Sequence, residues 1–155
     1  MNYIVLHIES CLKQSLEMFP AVVLTGPRRA GKTFMLRNVL RDAAYVQLED
    51  PDTLVSVKAD PRGFLDGLSL PVIIDEIQQV PELFNYVRSR IDAEPEMKGR
   101  WILTGSQESI LMRGVGELLG TRQSGWIQYH FVDYREHRDL FKLASRAARD
   151  NEIDS

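Results

Sequence analysis

Cysteine is nearly missing from this chain: Cys11 stands alone in 155 residues. No internal disulfide can form, which suits a reducing cytoplasm, and Cys11 itself reads as a small buried hydrophobe. Histidine is scarce as well. His7, His130 and His137 stand apart from one another and from any ligand spacing, which argues against a zinc site. There is no Gly-x-Ser-x-Gly elbow and no cysteine with plausible triad partners. Long apolar runs are also lacking. Stretches such as Val72-Ile73-Ile74 fall far short of the ~20 residues a bilayer requires. The opening Met1-Asn2-Tyr3-Ile4-Val5-Leu6-His7 has neither a basic leader nor an apolar h-region, so no signal peptide is expected. Nor is there a large excess of charge. With 19 Lys+Arg against 22 Asp+Glu and a net charge of -3, the whole molecule has no electrostatic reason to hold nucleic acid or an anionic membrane.

What is present describes an ordinary globular protein: 44% hydrophobic and 26% charged residues, in a length that suits one domain with a real core. One stretch organises the rest. Gly26-Pro27-Arg28-Arg29-Ala30-Gly31-Lys32-Thr33 fits G-x-x-x-x-G-K-[ST], the phosphate-binding P-loop. Before it lies the apolar run Ala21-Val22-Val23-Leu24-Thr25, β-branched at three of its five positions, which reads as a buried parallel strand. After it, Phe34 to Arg41 reads as a helix. In this setting, the loop from Gly26 through Phe34 forms a concave cradle, in which every residue but Pro27 offers a backbone N–H to phosphate oxygens. Lys32 reaches the β- and γ-phosphates, and Thr33 offers its hydroxyl to Mg²⁺.

The remaining elements follow in order. Ile4, Ile8, Leu12, Leu16 and Phe19 recur at helical spacing up to Pro20. Ala44 to Leu48 is a second strand, closed by the turn formers Glu49-Asp50-Pro51-Asp52. A helix around Thr53 to Ala59 is broken by Asp60-Pro61-Arg62-Gly63, and Phe64 to Leu70 lies against the sheet. Val72-Ile73-Ile74-Asp75-Glu76 is an apolar strand that ends in two acids. Such acids commonly cap the next helix, here Pro81 to Ile91, but the upstream P-loop favours a different role. Asp75 then holds Mg²⁺ opposite Thr33, and Glu76 polarises the attacking water as general base.

Trp101 to Thr104 is a fourth strand leading into Gly105-Ser106-Gln107. Ser106 and Gln107 either sense a γ-phosphate at this sheet edge or form a simple turn, with Ser106 capping a helix from Glu108 to Arg113. Gly114 to Arg122 is a glycine-rich linker carrying one useful cation, Arg122, and Trp126 to Phe131 is a fifth strand. Leu140 to Arg149 reads as a short helix in a charged tail.

Together, Leu24-Thr25-Gly26-Pro27-Arg28-Arg29-Ala30-Gly31-Lys32-Thr33, Ile74-Asp75-Glu76-Ile77-Gln78 and Leu103-Thr104-Gly105-Ser106-Gln107 resemble a specific group. These are the bacterial and archaeal predicted ATPases of the AAA+ superfamily with the hallmarks TGPRRxGKT, DEIQ and LTGSQ. The resemblance runs from about residue 10 to about residue 136. It implies an α/β P-loop NTPase three-layer sandwich, whose parallel five-stranded sheet has the order 5-1-4-3-2 when strands are numbered along the chain. By position it implies that Lys32 and Thr33 bind phosphate and Mg²⁺, that Asp75 and Glu76 serve metal and water, and that Ser106 is a sensor. Arg122 falls where the family has a Gly-Arg pair, Thr121 replacing the glycine, and such an arginine often reaches a neighbouring subunit's nucleotide. Family members continue into a lid and a second domain. The expectation is therefore an ATPase core over 1–136 and a short charged helical tail over 137–155 that stops where the lid would begin.

The leading expectation is a cytoplasmic, Mg²⁺-dependent ATPase that self-associates or meets a protein partner, with neither a membrane nor nucleic acid indicated. The alternative is a nucleotide-dependent interaction module with little catalysis. A small-molecule kinase is disfavoured because the Asp75-Glu76 pair suits water better than an alcohol acceptor.

Overall fold

The computed structural model describes residues 2–26, 28, 31–106, 126–131 and 141–144, with side chains described over 9–26, 28 and 31–106. Its elements in chain order are helix α1 (Asn2–Met18), strand β1 (Ala21–Thr25), α2 (Lys32–Val39), β2 (Ala44–Gln47), α3 (Pro51–Ala59), α4 (Pro61–Asp66), β3 (Val72–Asp75), a 3-10 turn (Ile77–Gln79), α5 (Leu83–Ala93), β4 (Trp101–Gly105), β5 (Trp126–Phe131) and β6 (Phe141–Ala144).

The sheet order is β2-β3-β4-β1-β5-β6. Along β2 to β5 all pairings are parallel, with Ala21 opposite both Trp101 and Trp126. This is the expected order, β4 lying between the P-loop strand and the Asp75 strand. The five parallel strands expected are present, and the sheet carries a sixth strand beyond them. Side chains are described for β1 to β4, and the backbone extends the sheet past β1 by two more strands, the last antiparallel to β5. Residues Phe141–Ala144, expected within a helical tail, are that sixth strand: pairing with β5 overrides a weak local preference.

Alternation along each strand divides the core into two layers. Val22, Leu24, Ile73 and Ile102 pack with Leu12 of α1 and with Met35 and Leu36 of α2 on one face. Ala21, Val23, Val72, Ile74, Trp101 and Leu103 pack on the other face with Val57 of α3, Leu65 of α4 and Leu83, Val87 and Ile91 of α5. A parallel sheet covered on both faces explains why its strands are apolar throughout rather than alternating.

Two Asp-Pro pairs, read in sequence as turns and breaks, are helix starts. Asp50 accepts a hydrogen bond from the Thr53 N–H at 2.9 Å, with Pro51 in the first turn of α3. Asp60 ends α3 and begins α4, its carboxylate accepting from the Gly63 N–H at 3.0 Å. The segment expected to break one helix thus joins two, because proline at a first helical position loses no hydrogen bond and an aspartate before it caps the turn.

Candidate functional site

The carboxyl ends of β1, β3 and β4 meet the start of α2, and the candidate site lies there. Gly31 precedes the helix at φ 92, a left-handed conformation that glycine adopts without a steric penalty. The turn puts Lys32 into the interior, at 4% exposure, where its Nζ donates to the Gly26 carbonyl at 3.0 Å. Burial lowers the Lys32 pKa. The carboxylates of Glu76 and then Asp75 pull it back up, and Arg28 pushes it down.

Thr33, in the first turn of α2, donates its hydroxyl to Asp75 Oδ2 at 2.9 Å, a contact that spans 42 residues of sequence. The same oxygen accepts from the Tyr45 hydroxyl at 2.5 Å. The other carboxylate oxygen accepts from the Thr104 hydroxyl. Asp75, 5% exposed, is therefore held by three hydroxyls from α2, β2 and β4. Burial, and then the bond to Asp75, push the Tyr45 pKa well above its ordinary value. The Arg37 guanidinium covers the Tyr45 ring, 4.9 Å from its centroid.

At Glu76 the chain leaves β3 abruptly. Its φ of 58 and ψ of 50 are left-handed, and it is the one non-glycine residue with positive φ among the described residues. Glutamate pays a conformational cost there that surrounding bonds must outweigh. Two such bonds are present. The Glu76 N–H donates to Thr104 Oγ1 at 3.2 Å, and Gln78 Nε2 donates to the Glu76 carboxylate. The reading of Glu76 as a helix cap finds no side-chain capping bond in its favour. Gln78 Nε2 also donates to Ser106 Oγ at 3.0 Å, and Ser106 is buried at the end of β4.

The sequence-predicted residues Lys32, Thr33, Asp75, Glu76 and Ser106 are brought to this one edge. Phe34 directs its ring outward, at 77% exposure, so only its backbone can face a phosphate. Arg28 is on the surface, paired with Glu49 at 3.1 Å. Pro27, Arg29, Ala30, Gln107, Thr121 and Arg122 lie outside the described residues. Sequence reasoning missed Tyr45 and Thr104 and assigned no role to Gln78. Strand register would have exposed the first: Tyr45 pairs with Ile73 and therefore shares a sheet face with Asp75, two residues further on.

Metal fit can be judged from the donors. No group of three or more His, Cys, Asp and Glu that could hold a metal ion occurs among the described residues. A hydroxyl and a carboxylate in contact are hard oxygen ligands, of the kind used when Mg²⁺ completes its shell with waters and nucleotide phosphates. Thr33 and Asp75 fit that role.

The profile of the AAA domain family matches residues 18–137, the greater part of the chain and all of the site just described. The chain belongs to the AAA domain family. Among similar proteins are uncharacterised protein Mb2031c of Mycobacterium bovis and uncharacterised protein Rv2008c of Mycobacterium tuberculosis. Each is 37% identical to this AAA domain over 112 residues, which is 72% of this chain and 25% of the relative. The chain thus spans about a quarter of the length of these curated relatives. Family membership supports nucleotide binding as the general business of the site. No helix among the described residues is long and apolar enough to cross a membrane.

Proposed function

We propose that this AAA domain binds ATP with Mg²⁺ and hydrolyses the β-γ bond. The observation that carries the reading is the 2.9 Å bond from Thr33 Oγ1 to Asp75 Oδ2, which joins the P-loop helix to an acid at a strand tip as a metal-nucleotide site requires. Bound Mg²⁺ would supply charge neutralisation between the β- and γ-phosphates. Lys32, held just inside the loop, adds a cation to the same phosphates. Thr33 and Asp75 hold the metal, with Tyr45 and Thr104 fixing the carboxylate. Glu76 takes the proton of the attacking water, and Ser106 donates to the γ-phosphate. Arg122 is the proposed finger, supplied between subunits of an assembly, and a cytoplasmic setting fits the single cysteine.

A second reading, a nucleotide-dependent interaction module, has one observation in its favour: the Glu76 carboxylate is already engaged by Gln78. Phosphate release by the parent and by Glu76→Gln, each over a wide protein concentration range, tests both. Hydrolysis predicts a rate that falls by about two orders of magnitude or more in the variant with ATP still bound. An unchanged rate refutes Glu76 as the base. A rate per subunit that rises with concentration supports a finger supplied in trans.

A further inference from the structure

The least expected side chain in the site is Gln78. It is buried, at 7% exposure, and its carbonyl Oε1 has no hydrogen-bond partner among the described residues. A buried orphaned acceptor costs stability and needs an explanation. Turning the amide over does not relieve it, because Oε1 would then face the Glu76 carboxylate and Nε2 would leave both of its acceptors. The orientation is set by the two acceptors: Glu76 Oε2 on one side and Ser106 Oγ on the other, 30 residues apart in sequence.

The chemistry of this bridge has a direction. Ser106 Oγ accepts from Gln78, so the serine's own proton is left to be donated elsewhere. A phosphate oxygen that takes that proton fixes the serine rotamer and with it the seat of the Gln78 amide. Glu76 is susceptible to such control. Its backbone is in the left-handed region, and its carboxylate is held by the same amide nitrogen. When the serine proton is donated, its oxygen becomes a better acceptor for Gln78, and a nitrogen that donates twice then gives less to its second acceptor, Glu76.

We propose that Gln78 is a positioning residue that transmits the presence of a γ-phosphate, read by Ser106, to the carboxylate of Glu76. The inference rests on the ATP reading above and adds to it a coupling element between the group that senses phosphate and the group that activates water. Gln78 itself touches neither phosphate nor water.

The test is a double-mutant cycle in binding, which needs no turnover. Dissociation constants for fluorescent mant-ADP and for a non-hydrolysable mant-ATP analogue are measured with Mg²⁺ for the parent, Gln78→Met, Ser106→Ala and the double variant. The parent is expected to prefer the triphosphate. Each single substitution is expected to reduce that preference about fivefold, and the double variant to reduce it no further than either single one. Gln78→Met removes the orphaned carbonyl with little change of volume but also the donor to Glu76 and Ser106, so a modest fall in melting temperature is expected, with the folded protein retained. Gln78→Leu provides the same comparison with a branched side chain.

A merely structural role predicts something else: weaker binding of both nucleotides by the same factor. That result overturns the proposal. So do single effects that multiply in the double variant, or a triphosphate preference that survives Gln78→Met and Gln78→Leu. A parent that binds neither nucleotide overturns the ATP reading and this inference together, whereas a parent that binds both without preference overturns this inference alone.

Discussion

The two ends of the sheet are built differently. At the amino ends of the parallel strands, Ala21, Val72 and Trp101 are buried apolar residues, and backbone bonds close the edge: Gly99 N–H to the Phe19 carbonyl at 2.9 Å, Trp101 N–H to the Pro20 carbonyl at 3.1 Å and Val72 N–H to the Arg100 carbonyl at 3.0 Å. Charged groups stay on its surface, as in the Arg100–Glu94 pair at 3.2 Å. At the carboxyl ends, Thr25, Lys32, Asp75, Gln78, Thr104 and Ser106 are all buried, leaving only Ser15 as a buried polar residue elsewhere among the described residues. Desolvating so many polar groups costs stability unless each is bonded, so their concentration at one edge marks the place where folding is compromised for chemistry. The amino end shows what the same sheet does when only stability is at stake.

Replacing one residue at each end should separate these roles. The largest effect is expected from Lys32→Met. Loss of the ammonium removes charge-assisted bonds to phosphate worth about 1.5–3 kcal/mol each, so affinity for a fluorescent ATP analogue should fall on the order of a hundredfold. Thermal melting of the nucleotide-free protein should change far less, because the burial cost of the ammonium is set against its attraction to Glu76 and Asp75. At the opposite end, Gly99→Ala should do the reverse. Gly99 has φ 66, and an added Cβ would lie 2.7 Å from the Leu16 carbonyl oxygen. A loss of about 2–4 kcal/mol in denaturant unfolding is expected, with nucleotide affinity of the folded fraction unchanged. If Gly99→Ala weakened binding as strongly as Lys32→Met, the two ends would not be functionally distinct.

Thr104→Val is a smaller change that tests whether site polarity also holds the fold. It removes the hydroxyl that donates to Asp75 and accepts from the Glu76 N–H. The expected cost is about 1–2 kcal/mol in unfolding, together with a higher Mg²⁺ concentration for half-maximal nucleotide binding.

The smallest effect is a pH dependence at Tyr45. Its folded pKa is raised, so the protonated hydroxyl is favoured in the native state. That contribution is fully present below the unfolded value of about 10 and is lost as pH rises beyond it. Melting curves from pH 9 upward should therefore fall more steeply for the parent than for Tyr45→Phe. Parallel curves would show that the hydroxyl is not held by Asp75 in solution.

Much of this arrangement was legible in the residues, and what was not has physical causes. The apolar runs Ala21–Thr25 and Val72–Asp75 are strands because a doubly covered parallel sheet demands such runs, and the P-loop spacing located Lys32 and Thr33 without any geometry. Helix α4 was hidden because Pro61 and Gly63 look like breakers when their positions relative to a cap are unknown. Strand β6 was hidden because its conformation depends on a partner strand rather than on Phe141–Ala144 alone. Tyr45 and Thr104 carry no motif. They reach Asp75 only through strand register, which local pattern does not specify. The left-handed backbone of Glu76 has no compositional signature at all, since the residues that prefer it are glycine and asparagine.

Helices α2 and α5 differ in how firmly they are seated. Helix α5 has 11 residues and buries Leu83, Phe84, Val87 and Ile91, whereas α2 has 8 and buries Lys32, Met35 and Leu36. The shorter helix is the one that opens with Lys32 and Thr33. In amide hydrogen exchange, α2 should therefore open at a lower free energy than α5, as a separate unit of the native state. A ligand that seats on the first turn of α2 would raise protection there first, bringing that helix towards the stability of α5.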